Sequence, residues 1–93
     1  RQSSVSTPHS PLPTRQLEAE AESYFHQAIA IARRQEAKLF ELRATVSLAR
    51  VRQRQRKKKE ARQMLADIYG WFTEGFETVD LQEAKALLEE LRH

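Results

Sequence analysis

The sequence contains no cysteine, only two glycines, and three prolines that all lie before residue 14. The absence of cysteine excludes disulfides and thiolate metal ligands, and a reducing cytoplasm is the simplest location for such a chain. No apolar run is long enough to span a membrane, and residues 1–15 lack the apolar core of a secretory signal. Ala, Leu, Glu, Gln, Arg and Lys dominate the remainder, and these residues favour helices. We therefore predict an all-α, cytoplasmic protein with no membrane partner.

Ninety-three residues are enough for one small domain. A chain of this length buries a modest fraction of its surface, so we do not expect a deep active-site cavity. The net charge of +3 is mild. The sequence begins with Arg1 rather than methionine, which favours a fragment of a longer protein, although processing could also remove the first residues.

Composition divides the chain into a linker, residues 1–14, and a helical domain, residues 15–93. The linker is rich in Ser, Thr and Pro and offers little apolar surface to bury, which predicts disorder. Apolar periodicity predicts about four helices in the domain. Helix 1 follows Thr14, a suitable cap, and extends to about residue 35, and helix 2 spans about 37–55.

The third predicted helix spans about 60–72 and frays between Gly70 and Gly75. Thr78 or Asp80 can cap the fourth, which continues to the C-terminus. Helix 2 is apolar on two sides and should occupy the middle of the stack. The predicted buried residues are Leu17, Ala21, Phe25, Ala28, Ile29 and Ala32 in helix 1; Leu39, Phe40, Leu42, Ala44, Val46, Leu48, Ala49 and Val51 in helix 2; Ala61, Met64, Leu65, Ile68 and Phe72 in helix 3; and Leu81, Ala84, Leu88 and Leu91 in helix 4.

One spacing of apolar residues occurs twice. The set Ala21, Phe25 and Ala28 is matched 40 residues later by Ala61, Leu65 and Ile68. In both sets the residues share one face of a helix. A period between about 20 and 50 residues is typical of helical repeat arrays, which offer surfaces rather than reaction centres.

The order Leu48-Ala49, a turn near Arg56, then Ala61, Leu65 and Ile68 resembles the tetratricopeptide repeat (TPR) pattern. The resemblance implies that helices 2 and 3 are the A and B helices of one antiparallel hairpin. It also implies that helix 1 is the B helix of a preceding repeat, in a fragment of an α-solenoid. Arg56 stands where the pattern usually has Gly, and Arg52 where relatives tend to have a large aromatic residue.

A narrower resemblance covers roughly residues 17–91. Residues 28–35, 42–44, 47–50 and 69–76 are together similar to the C-terminal end of large bacterial predicted ATPases. These signalling proteins often join an adenylate/guanylate cyclase or transcription-regulator domain to an NTPase module and a helical-repeat tail. The chain contains no phosphate-binding glycine loop, cyclase metal-binding aspartates or recognition-helix motif, so the resemblance implies no enzymatic activity here.

Candidate catalytic and metal-binding groups are few, so we predict no catalytic residue, no metal and no cofactor. His26 has Glu22 one turn before it, but a metal site needs further ligands. Ser47 has no histidine or lysine placed to activate it. We interpret the acidic groups Glu18, Glu20, Glu22, Glu89 and Glu90 as solvated helix faces. We expect the aromatic residues Trp71, Phe72 and Phe76 to fill the corner between helices 3 and 4, with stacking on a base or ring as the alternative.

Basic residues are concentrated in the segment 50–62, where only Glu60 opposes them. They are Arg50, Arg52, Arg54, Arg56, Lys57, Lys58, Lys59 and Arg62. The simplest interpretation is a solvated helix end and turn. A second is a nucleic-acid surface, although no aromatic residues interleave with the basic ones.

A third interpretation concerns one face of helix 2. Arg43, Ser47, Arg50 and Arg54 follow an i, i+4, i+7, i+11 course, and by the TPR resemblance that face lines a concave groove. A row of arginines would bind carboxylates of an acidic peptide, a protein or a neighbouring domain. The leading function is therefore protein–protein interaction or regulation, with nucleic-acid binding as the alternative and an enzyme disfavoured. Helix 1 lacks one covering helix, so we also expect a concentration-dependent homodimer through it.

Overall fold

The computed structural model describes residues 14–92, which form four α-helices and no strand. The helices are α1 (Thr14–Arg34), α2 (Lys38–Arg54), α3 (Lys58–Tyr69) and α4 (Val79–Leu91). The all-α prediction is confirmed for this part of the chain, and the helix ends lie within a few residues of the predicted ones. The predicted linker lies outside the described residues except for Thr14, where α1 begins.

Helix α2 occupies the middle of the stack, as its two apolar sides predict. It packs against α1, α3 and α4, while α3 also packs against α4. Within residues 14–92, helix α1 packs against α2 alone. Helix α2 is therefore covered by three neighbouring helices, and one of its sides stays uncovered by any described helix.

The apolar core joins α2, α3 and α4. Leu42, Leu65, Leu87 and Leu91 are almost completely buried in it. Its members are Leu42, Val46, Ala49, Ala61, Leu65, Ile68, Leu81, Ala84, Leu87 and Leu91. Leu87 was not among the predicted core residues, although it lies one turn from both Ala84 and Leu91. Helix α1 contributes Ile29 and Ala32 as buried residues against α2.

Three predicted core residues are exposed, and the prediction is wrong for them. Leu17 keeps 48% of its surface, Leu39 keeps 38% and Phe40 keeps 62%. Leu17 lies on the side of α1 that no described helix covers. Leu39 and Phe40 belong to the first turn of α2, where Phe40 shares the uncovered side with Arg43. Amphipathic patterning identified the helices but could not tell which apolar side lacks a neighbour.

Two turns of the same geometry connect the first three helices. Glu36 and Arg56 have positive φ angles of 56° and 64°. In each turn the next amide reaches back five residues, with Ala37 N to Ala32 O at 2.8 Å and Lys57 N to Arg52 O at 2.8 Å. These are Schellman motifs, in which glycine usually occupies the left-handed position. Arg56 therefore stands where a glycine would be less strained.

The α3–α4 connection is longer. Thr78 caps α4 by accepting a hydrogen bond from the Leu81 amide, so it, and not Asp80, is the cap. Phe72 is half-buried and packs against the core, but Trp71 is 57% exposed and Phe76 is 42% exposed. The expectation of an aromatic plug is therefore wrong for Trp71 and Phe76.

None of the helices between residues 14 and 92 is long and apolar enough to cross a bilayer.

Candidate binding surfaces

The four residues predicted to bind a partner lie together on the uncovered side of α2. Arg43, Arg50 and Arg54 are exposed and Ser47 is half-buried. Phe40 lies beside them on the same side, which we call the open face of α2 (Phe40, Arg43, Ser47, Arg50 and Arg54). Residues at these spacings point to the same side of an α-helix. The spacing therefore predicted correctly that the four polar residues share one side of α2.

Arg43 is held at the α4 border of the open face. Its Nε donates to both carboxylate oxygens of Asp80 at 3.0 Å, and its Nη2 lies 3.0 Å from Asp80 Oδ2. The hydrogen bond and the negative charge of Asp80 raise the pKa of the Arg43 guanidinium above its ordinary value. The guanidinium carbon also lies 5.3 Å from the Phe40 ring centroid, within cation–π distance. Arg43 is thus an ordered arginine that already has a carboxylate partner.

Arg50 and Arg54 differ in how much of their charge is neutralised. Arg54 Nε lies 4.0 Å from Glu18 Oε2 of α1, a long contact for an ion pair. Arg50 forms no ion pair with any other described residue. A carboxylate approaching the open face would therefore contact Arg50 first, with Arg43 and Arg54 available only in competition with Asp80 and Glu18.

Polar side chains join α1 to the C-terminal half of α2. Arg52 Nη1 lies 3.2 Å from Glu22 Oε1, and Arg52 Nη2 lies 3.5 Å from the His26 ring. Gln55 donates to Glu22 and, at 3.4 Å, to Glu18. We call this set, Glu18, Glu22, His26, Arg52 and Gln55, the polar seam.

Three side chains of the polar seam are largely withdrawn from water, while His26 is exposed. The side chains of Arg52, Glu22 and Glu18 keep 16%, 20% and 21% of their surface. The interpretation of Glu18 and Glu22 as part of a solvated helix face is therefore wrong, because both side chains pack against α2. Within residues 14–92, Arg52 Nε and Gln55 Oε1 are buried without a hydrogen-bond partner. The Arg52 guanidinium is thus half-buried and paired with Glu22 of α1, on a different side of α2 from the open face.

A cavity of about 420 Å³ lies between α1, α2 and α3. Its floor includes Glu41, whose side chain is 4% exposed and pairs with Arg33 at 2.9 Å and Lys38 at 3.4 Å. Lys38 Nζ also lies 5.4 Å from the Trp71 ring centroid at the cavity wall. Sequence reasoning missed Glu41, although Glu41, Thr45 and Leu48 share one helical side and all three are buried.

The remaining basic residues surround the α2–α3 turn. Arg56, Lys57, Lys58, Lys59 and Arg62 are exposed. Lys57 is the N-cap of α3 but its side chain makes no capping hydrogen bond. The basic cluster is thus divided: Arg52 is half-buried in the polar seam, Arg50 and Arg54 belong to the open face, and the other five residues are exposed in the α2–α3 turn and the first two turns of α3.

No group of three His, Asp or Glu side chains in the described part of the chain is placed to hold a metal. Ser47 lies half-buried among arginines on the open face. No family model, curated protein or solved structure matches this chain.

Proposed function

We propose that the chain is a non-catalytic helical-repeat module that binds an acidic protein segment on the open face of α2. The observation that carries the proposal is the composition of that face. Arg50 is exposed and forms no ion pair with a described residue, and the same face carries the exposed Phe40 and the ordered Arg43 nearer its N-terminal end. Arginine and aromatic residues, Phe among them, are enriched at protein–protein interfaces relative to the rest of the surface. The partner is a peptide or neighbouring domain in the cytoplasm.

Helix arrangement supports a repeat module of the TPR type. Arg43 bonds to Asp80 and Gln53 bonds to Glu90, and both pairs are 37 residues apart. Helices α2 and α4 therefore run parallel, side by side, while Arg33–Glu41 and Glu18–Gln55 contacts make α1 and α2 antiparallel. Two parallel A helices, each followed or preceded by an antiparallel B helix, are the arrangement expected of stacked helical hairpins.

Stacked helical hairpins of this kind are also expected in the C-terminal tail of a bacterial signalling ATPase. In that setting the acidic segment belongs to another domain of the parent protein, and the module regulates that domain by docking to it. Catalysis by the isolated chain is not expected. ATP hydrolysis or cyclic-nucleotide formation by the purified chain, abolished by a point substitution within it, would contradict this part of the proposal.

Arg50→Glu is the direct test of the open face. We expect Asp- and Glu-rich peptides with interspersed Leu to shift backbone NMR signals of α2 around Phe40 and Arg50. Arg50→Glu should weaken their binding by about tenfold or more, because reversing the charge turns attraction into repulsion. Arg50 is the better position than Arg54, because Arg54→Glu would also place a second carboxylate beside Glu18.

Arg62→Glu is the matched control. It makes the same change of charge at an exposed residue of α3 outside the open face. If Arg50→Glu and Arg62→Glu weaken peptide binding equally, the binding is explained by long-range charge attraction alone. That result would refute a site on α2. Arg50→Lys keeps the charge but loses the planar fork, so it should bind with intermediate affinity.

The alternative is nucleic-acid binding by the five exposed cations at the α2–α3 turn. Their exposure and lack of ion pairs with described residues favour this candidate. Binding to duplexes of unrelated sequence, with affinity that falls steeply as salt rises, would support it. Arg62→Glu would then weaken binding more than Arg50→Glu, the reverse of the order expected for the peptide.

A further inference from the structure

Helix α1 carries an exposed apolar stripe on the side that no described helix covers. The stripe consists of Leu17, Ala21, Tyr24, Ala28 and Ile31, which are separated by four, three, four and three residues. Leu17, Tyr24 and Ile31 keep 48%, 68% and 45% of their surface, and the small residues Ala21 and Ala28 between them are half-buried. The residues that α1 buries against α2, Ile29 and Ala32, lie outside this stripe.

A strict alternation of four and three is the heptad pattern of a coiled-coil seam. Large residues occupy the d positions (17, 24 and 31) and alanine occupies the a positions (21 and 28). A seam that alternates large and small side chains favours one orientation. If two copies of α1 run antiparallel about a two-fold axis near residue 26, Tyr24 faces Ala28 and Ile31 faces Ala21. In a parallel pair Tyr24 would face Tyr24 and Ala21 would face Ala21, which packs poorly.

The flanking residues select the same orientation. Glu20, Gln27 and Arg34 are exposed and occupy successive g positions along one border of the stripe. In the antiparallel pair the g positions of the two copies meet, so Glu20 faces Arg34 of the second copy and Gln27 faces Gln27. Opposite charges at such positions set partner choice and orientation in coiled coils. The other border of the stripe is turned toward α2, where Phe25 is half-buried.

We propose that the α1 stripe is the seam of an antiparallel homodimer, in which α1 of one copy covers α1 of the other. The occupant is a second copy because the stripe from Ala21 to Ile31 is complementary to itself in side-chain size and the border from Glu20 to Arg34 is complementary to itself in charge; Leu17 lies beyond this overlap. The dimer is independent of the open face of α2, so the failure of either proposal leaves the other standing.

Sedimentation velocity over about three decades of concentration, from the low micromolar range, tests the association. The full chain should form dimers as concentration rises. Tyr24→Glu should raise the dimer dissociation constant by about tenfold or more, since it places a charge in the seam. Val79→Glu makes a comparable change at an apolar residue that is 72% exposed on α4 and should leave dimerisation unchanged. A monomer at all concentrations, or equal effects of both variants, would overturn the proposal; circular dichroism confirms that each variant remains helical.

The orientation has its own test. Glu20→Arg and Arg34→Glu should each weaken the dimer, and the double variant should restore it, because only the antiparallel pair brings these two positions together. The chain has no cysteine, so Gln16→Cys and Gln27→Cys can each carry a single spin label. At a rise of about 1.5 Å per residue, the two labels should lie close together at position 27 and roughly 30 Å apart at position 16. Short distances at both positions would show a parallel dimer and refute the orientation.

Discussion

The two sides of α2 are held to their neighbours by different chemistry. Toward α3 and α4 the contact is an apolar cluster in which Leu42 and Leu65 have no exposed surface. Toward α1 the buried apolar residues Ile29 and Ala32 are accompanied by the polar seam and by the Arg33–Glu41 pair. The same helix therefore takes part in one apolar interface and in one that combines buried apolar residues, Leu48 and Val51 of α2 among them, with ion pairs and polar contacts.

The difference implies unequal strengths. Burial of apolar area stabilises without a requirement for precise geometry. A partly buried ion pair gains Coulomb energy but loses hydration, and the unpartnered Arg52 Nε and Gln55 Oε1 recover none of that loss. We infer that α1 is the most weakly held helix among those described and that α2, α3 and α4 form the stable unit.

The largest expected effect is on the apolar side. Leu65→Ala should lower the free energy of unfolding by about 2–5 kcal/mol, because it removes buried methyl groups and leaves a cavity in the core. Urea denaturation followed by circular dichroism measures the change. Leu39→Ala is the control, since Leu39 keeps 38% of its surface and should cost much less. Equal losses would mean that the cluster around Leu65 is not the stabilising core.

A smaller, local effect is expected on the polar side. Arg52→Ala should cost roughly 1–2 kcal/mol, because it removes the ion pair with Glu22, the contact with His26 and the packed arginine stem. Amide exchange should show faster opening of α1, for example at Ile29, with little change at Leu65. Arg50→Ala, two residues away and exposed, should change neither amide. Equally faster exchange at Leu65 and Ile29 in Arg52→Ala would show one cooperative unit and refute the unequal interfaces.

The sequence predicted the apolar side of this comparison better than the polar side. Ala61, Leu65 and Ile68 were identified by helical spacing alone, because a buried stripe repeats along one helix. Glu41 and its partners Arg33 and Lys38 were not identified, since a glutamate in a helix is usually exposed and only tertiary packing shows which one is buried.

The same limit applies to the candidate site. Spacing placed Arg43, Ser47, Arg50 and Arg54 on one side of α2. It could not predict that Asp80 neutralises Arg43, because that carboxylate is 37 residues away and reaches Arg43 only through the packing of α4 on α2. Nor could it predict that Phe40 is exposed on the open face, since an aromatic residue at a helical spacing is normally assigned to the core.

The smallest expected effect is at the two Schellman turns. They have the same backbone hydrogen bonds, but the turn at Glu36 closes the α1–α2 interface and the turn at Arg56 closes the α2–α3 interface. Glu36→Gly and Arg56→Gly should each stabilise the turn by about 0.5–1 kcal/mol, because glycine adopts the positive φ of 56° or 64° without strain. Glu36→Ala and Arg56→Ala remove the same charges, keep the Cβ and should give no gain. If α1 opens independently, Glu36→Gly will slow amide exchange at Ile29 and not at Leu65, whereas Arg56→Gly will slow it at Leu65. Equal slowing at both amides by both glycine variants would mean that the polar seam couples α1 to the core as tightly as apolar packing couples α3 and α4.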